Sequence, residues 1–125
     1  MNNIDKFYKA LFILKPNVEA TVFGEINTEE DFNKVEWKTG EDDKGNAIIT
    51  IICPHAELSW SAVNTEMNRI QAEYDAQDYA RKREGEYPST KDFMEAYTEK
   101  EIGGDSTKWD AYVINYNKVR TENPK

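Results

Sequence analysis

Cys53 and His55 are the one pairing in this sequence whose types and spacing suggest a nucleophile with a base beside it. They flank Pro54 at the end of a predicted strand. Cysteine catalysis needs a thiolate held next to an orienting base in a fixed pocket. No third group is evident to position the base, so the expectation is a small buried thiol and a loop histidine. Zinc wants four ligands of the Cys/His type, and the chain has one cysteine and one histidine. The stretch Glu41-Asp42-Asp43-Lys44-Gly45-Asn46 sets a glycine among acids, as calcium loops do. Placing Gly45 at the sixth loop position puts Gly40 at the first and Ile51 at the twelfth, neither of them a ligand. The stretch reads as a solvated hairpin tip. No glycine-rich phosphate loop or nucleophile elbow occurs, and nothing singles out an acid pair among 24 carboxylates. The expectation is a protein without catalytic residues, metal or cofactor.

The elements that would position such residues follow from apolar spacing. Ile4, Phe7, Tyr8, Leu11 and Phe12 lay one stripe along a helix over residues 2–14, with Asn2 or Asn3 able to cap it and Pro16 ending it. Residues 19–23, 34–38 and 47–53 read as strands. Val35 and Trp37 share one face of the second, while Lys34, Glu36 and Lys38 point to water. Ile48, Ile49, Ile51 and Ile52 supply both faces of the third, which predicts a central, well-covered strand. Gly45-Asn46 carries the turn chemistry between Trp37 and Ile48. The first unit is therefore an α-β-β-β domain over residues 1–56.

From residue 58 the period turns helical. Val63, Met67, Ile70, Tyr74, Gln77 and Arg81 are spaced 4, 3, 4, 3, 4, a heptad seam that turns polar at its end. A long helix over 58–86 follows, and Arg81-Lys82-Arg83 suits a helix C-terminus. Pro88 breaks it. Ser89 or Thr90 starts a short helix over 90–101, with Phe93, Met94 and Tyr97 on one side and Gly103-Gly104 stopping it. Asp105, Ser106 or Thr107 caps a last helix over 107–121, where Trp109, Tyr112, Val113, Tyr116 and Val119 form an aromatic face, and Asn123-Pro124 closes it. The fold class is α+β: an N-terminal helix on a small three-stranded antiparallel sheet, then a long helix and two short C-terminal helices in a helical region over 57–125. The seam residues Val63, Met67, Ile70 and Tyr74 either pack back on the chain's own elements or meet a partner. Trp109, Tyr112 and Tyr116 divide the same way, with Tyr87 at the turn beside them, because Trp and Tyr serve cores and interface hot spots alike.

The totals bound the partners. Sixteen basic residues against 24 acidic give a net charge of −8, which opposes the basic stripe a nucleic-acid binder needs. An aromatic share of 12% argues against disorder. A single cysteine allows no intrachain disulfide and suits assembly inside a cell. The N-terminal apolar residues are broken by Asp5, Lys6 and Lys9, unlike a secretory leader, and no stretch approaches the roughly 20 apolar residues of a membrane span. A homo-oligomer stays open.

Taken together, Ala72 to Ala76, Tyr79, Arg83, Tyr87-Pro88-Ser89, Trp109 and Asn123-Pro124-Lys125 resemble, in order and spacing, the C-terminal half of small tail proteins of tailed bacteriophages, notably cyanophage-like myoviruses. The opening helix and its Leu14-Lys15-Pro16-Asn17 exit are similar to the start of such proteins. The resemblance implies a virion component of the tail or its fibres, assembled in the host cytoplasm and contacting other tail or fibre proteins. An assembly chaperone absent from the finished particle is the alternative it implies.

Overall fold

A computed structural model of the chain describes residues 1–125. The fold is α+β, with an N-terminal helix, a three-stranded antiparallel sheet and C-terminal helices. The chain divides into two compact units, Met1–Asp75 and Ala76–Lys125.

In the first unit, α1 (Asn3–Leu14) starts at Asn2, whose side chain accepts from the Asp5 N–H, and stops before Pro16. Asn17 takes the left-handed φ of 66° that turns the chain out. Of the apolar stripe on α1, Phe7, Leu11 and the neighbouring Ala10 are buried, while Ile4 and Phe12 lie outward. Tyr8 uses its phenol instead: its hydroxyl donates to Ala20 O and accepts from Val22 N–H, both at 3.3 Å. That fastens α1 to the short strand β1 (Ala20–Thr21).

A helical turn, α2 (Glu29–Phe32), follows and delivers Phe32 to the core. Its start is a reciprocal cap: Thr28 accepts from the Asp31 N–H, and the Asp31 carboxylate accepts from Thr28 N–H and Asn27 N–H. The strands β2 (Glu36–Glu41) and β3 (Ala47–Thr50) complete the sheet in the order β1-β2-β3. Trp37 faces Ala20 on one side and Thr50 on the other, and a bulge falls between Lys38 and Gly40. The turn uses Gly45 at φ 81°, and the Asp42 carboxylate accepts from Lys44 N–H and Asn46 N–H.

The third strand is thus an edge, not the central strand its isoleucines imply, and it ends at Thr50 rather than Cys53. Trp37, buried on β2, is what the core selects. After Thr50 the chain curls out of the ladder, with Ile52 N–H donating to the Thr50 hydroxyl at 3.1 Å. The helix α3 (Trp60–Ala76) then lays Val63, Met67 and Ile70 into one core with Phe7, Leu11, Ile26, Val35, Trp37 and Leu58. This moves the boundary from residue 56 to Asp75, because α3 belongs to the sheet's core.

The long helix expected over 58–86 is two helices. Gln77, at φ −96° and ψ 4°, separates α3 from α4 (Asp78–Glu86). The break comes where the seam turns polar, at Gln77. In the second unit, α5 (Thr90–Glu101) starts with a reciprocal cap between Ser89 and Asp92. Gly104, at φ 70°, ends it, and Asp105 N–H closes back on Glu99 O. The last helix, α6 (Thr107–Glu122), has Ser106 at its cap position, but Asp105 is the side chain that serves it, accepting from Thr107 N–H and Oγ. No helix is long and apolar enough to cross a membrane.

Candidate protein-interaction site

Residues spaced three and four apart on a helix share a face, so Trp109, Tyr112 and Tyr116 line one side of α6. Their rings run in a row. Trp109 and Tyr112 stack at 5.8 Å and 21°, Tyr112 and Tyr116 at 6.3 Å and 22°. Tyr87, at the exit of α4, extends the row by stacking on Tyr116 at 4.9 Å and 13°. From α5, Phe93 meets Tyr112 edge-on at 5.5 Å and Tyr97 meets Trp109 edge-on at 6.0 Å. Cations close the ends. Lys100 Nζ stands 4.7 Å over the Trp109 ring, and Arg120 lies over the Tyr116 ring while donating to its hydroxyl at 3.2 Å. That hydrogen bond, with the charge behind it, pulls the Tyr116 phenol below its ordinary pKa.

The row is held by polar ties. Arg83 Nε donates to Asn123 O at 2.8 Å and its Nη2 to Arg120 O at 3.4 Å, so a cation from α4 satisfies the carbonyl end of α6. Asn123 Nδ2 donates back to Glu86 at 2.7 Å and to Val119 O at 3.0 Å. Between α5 and α6, Lys108 reaches Glu95 and Glu99, each at 2.7 Å. Those bonds push the lysine's pKa up and hold the Glu95 carboxyl below its ordinary value.

Apolar burial contributes little here. Only Ala96 and Val119 are buried in the second unit. Trp109, Tyr112, Tyr116 and Tyr87 are half-buried, and Phe93, Met94, Tyr97, Ile102 and Ile114 are exposed. Aromatic pairs add about 0.5–1.5 kcal/mol each beyond area burial, and the rings of this row are no more than half-buried. A second apolar surface lies in the first unit, where Ile48, Ile49, Ile51 and Ile52 are all exposed.

The seam residues fare differently from the aromatic row. Val63, Met67 and Ile70 are consumed by the chain's own core, so an interface role for them is corrected to a structural one; Tyr74 alone of that group is exposed. An Ile70→Asp exchange would strike the sheet's core and could not serve as a clean interface variant. Sequence reading passed over Ile26 and Phe32, both buried, although Thr28 followed three residues later by Asp31 is a legible helix-start signature. It also missed the Arg83–Asn123 tie, which joins residues 40 positions apart and leaves no local trace.

The Cys53 thiol and the His55 imidazole have different partners. The thiol donates to the carbonyls of His55 and Leu58 at 3.5 and 3.6 Å, and burial pushes its pKa up, which disfavours a thiolate. The imidazole packs edge-on against Trp37 at 6.3 Å. At the hairpin tip, Asp42 spends its carboxylate on backbone N–H groups, which holds its pKa below the usual range. No group of three or more His, Cys, Asp or Glu gathers as a metal site.

No family model, no curated protein and no solved structure matches the chain.

Proposed function

We propose that the chain is a structural protein of a bacteriophage tail, baseplate or fibre attachment, working through protein–protein contacts with other tail or fibre proteins. The observation that carries this reading is the second unit's imbalance: six aromatic residues in one connected row over a core of only Ala96 and Val119. A unit that leaves two of these rings exposed and four only half-buried gains when a partner covers them. The resemblance of the same region to small phage tail proteins supplies the kind of assembly, and the acidic charge argues against a nucleic-acid target.

The test is quantitative mass spectrometry of purified particles of the phage that encodes the chain. A fixed ratio to the major tail proteins is expected. Absence from particles, with the chain present in infected-cell lysate, would sink the structural reading and favour an assembly chaperone using the same surface.

A further inference from the structure

The chain has four arginines. Arg69 pairs with Glu66 and Glu73, and Arg81 with Asp78. Arg83 and Arg120 have no carboxylate within salt-bridge distance, in a protein with 24 acids. Both sit at one place, the corner where the end of α4 meets the end of α6: Arg83 donates to the Arg120 carbonyl, and Arg120 lies over Tyr116, on which Tyr87 stacks. Residues 78–87 and 116–125 together hold six basic and four acidic side chains, against the chain's overall excess of acid. Three of the four acids are engaged: Asp78 with Arg81 and Lys82, Glu122 with Lys118, and Glu86 with Asn123.

We propose that this corner binds an acidic segment of a partner protein, with a carboxylate spanning Arg83 and Arg120 and an adjoining apolar side chain laid against the Tyr87–Tyr116–Tyr112 rings. The proposal rests on the reading of the aromatic row as a docking surface and names the chemistry of what docks. A guanidinium has five donors. Arg83 spends two on the helix-end carbonyls and Arg120 one on the Tyr116 hydroxyl, so both keep donors for a carboxylate. Arginine beside stacked tyrosines is the composition of interface hot spots. A polyanion is the poorer fit: two arginines release few counterions, and the remaining surface repels a phosphate backbone.

The experiment is selection of random 12-residue peptides on the full chain, followed by affinity measurement of fluorescein-labelled consensus peptides. Arg120→Lys and Arg120→Glu chains are run in parallel. Arg120 is exposed and ties only to Tyr116, so both variants keep the fold, which circular dichroism checks. Enrichment of Asp or Glu next to aromatic or aliphatic residues is expected, with affinity falling at least about tenfold in Arg120→Glu and less in Arg120→Lys. Recovery of no peptides, of peptides without acidic enrichment, or of acidic peptides that bind Arg120→Glu equally well overturns the proposal. Self-association by sedimentation that Arg120→Glu abolishes would also overturn it, because the occupant would then be a second copy. A negative result with the chain present in particles would defeat the acidic partner and leave the tail assignment standing. A positive result with the chain absent from particles would do the reverse.

Discussion

The guanidinium of Arg83 donates to the carbonyls of Asn123 and Arg120, so its removal leaves the end of α6 without those donors and loosens the α4–α6 corner. Charge-assisted bonds that are partly exposed are worth about 1–2 kcal/mol in such settings. Arg83→Ala should therefore destabilise the second unit by about that amount, and Arg83→Lys, which keeps the charge and loses the fork, by less. Amide exchange in residues 107–122 would read the effect, and unchanged exchange in Arg83→Ala would show that the tie contributes nothing. The acids support a second expectation. Asp31, Asp42 and Asp105 accept backbone N–H bonds, from Asn27, Asn46 and Thr107 foremost, which lowers each from its ordinary value of 3.8. A carboxyl lowered in the folded state stabilises it above the unfolded pKa, and that stabilisation is lost as pH falls through the folded value. Thermal melts should accordingly show little change from pH 7 down to about 5, then a drop that steepens below the unfolded value. Asp31→Asn should lower the melting point at pH 6 and shrink its fall toward pH 3. A variant with the same acid sensitivity as the parent would exclude Asp31 from the effect.

At the scale of elements, the open edge of β3 carries Ile49 and is followed by Ile51 and Ile52, which are 62% and 77% exposed. Unpaired edge backbone next to charge-free, β-branched residues favours association with other chains. Ile51→Lys with Ile52→Lys should leave the unfolding free energy within about 0.5 kcal/mol of the parent and reduce light scattering at high concentration. A large loss of stability would mean that these side chains pack in solution. The same strand shows where sequence reading stops. Isoleucine doublets fit a buried central strand and an uncovered edge equally, since which face is covered is decided by the packing of α1 and α3. Helix limits were legible wherever chemistry is local: Asn2 and Pro16 around α1, Ser89 and Gly104 around α5, Asn123-Pro124 after α6. The division of α3 from α4 was not, because Ala76, Gln77 and Asp78 carry no helix-breaking residue type. For the candidate site, spacing brought Trp109, Tyr112 and Tyr116 onto one face. It could not tell that Tyr87 joins their stack or that Val63, Met67 and Ile70 are used up in the core. Arg83, Tyr87, Ser89 and Asn123 are the residues that cap and tie the second unit.

For the molecule as a whole, the two units differ in what holds them. The first gathers Phe7, Leu11, Trp37, Val63 and their neighbours into one continuous core, whereas the second buries Ala96 and Val119 and relies on ring stacking and surface ion pairs. Exposed ion pairs contribute little individually, so burial sets the order of stability. Charge is unequal too: residues 1–75 hold 14 acidic and seven basic side chains, residues 76–125 ten and nine. Native-state hydrogen exchange should therefore show amides of α6 opening at the lowest free energies, and those around Phe7 to Leu11 in α1 exchanging only by global unfolding. Denaturation followed by NMR at the amides of α6 should precede that followed at the amides of α1. Coincident transitions and uniform exchange would mean that the units unfold as one and that the second is not the weaker. If the order holds, a ligand that covers the aromatic row stabilises the unit that has most to gain. Exchange in residues 107–122 should then slow in proportion to peptide concentration over its dissociation constant, while exchange in α1 stays as it was.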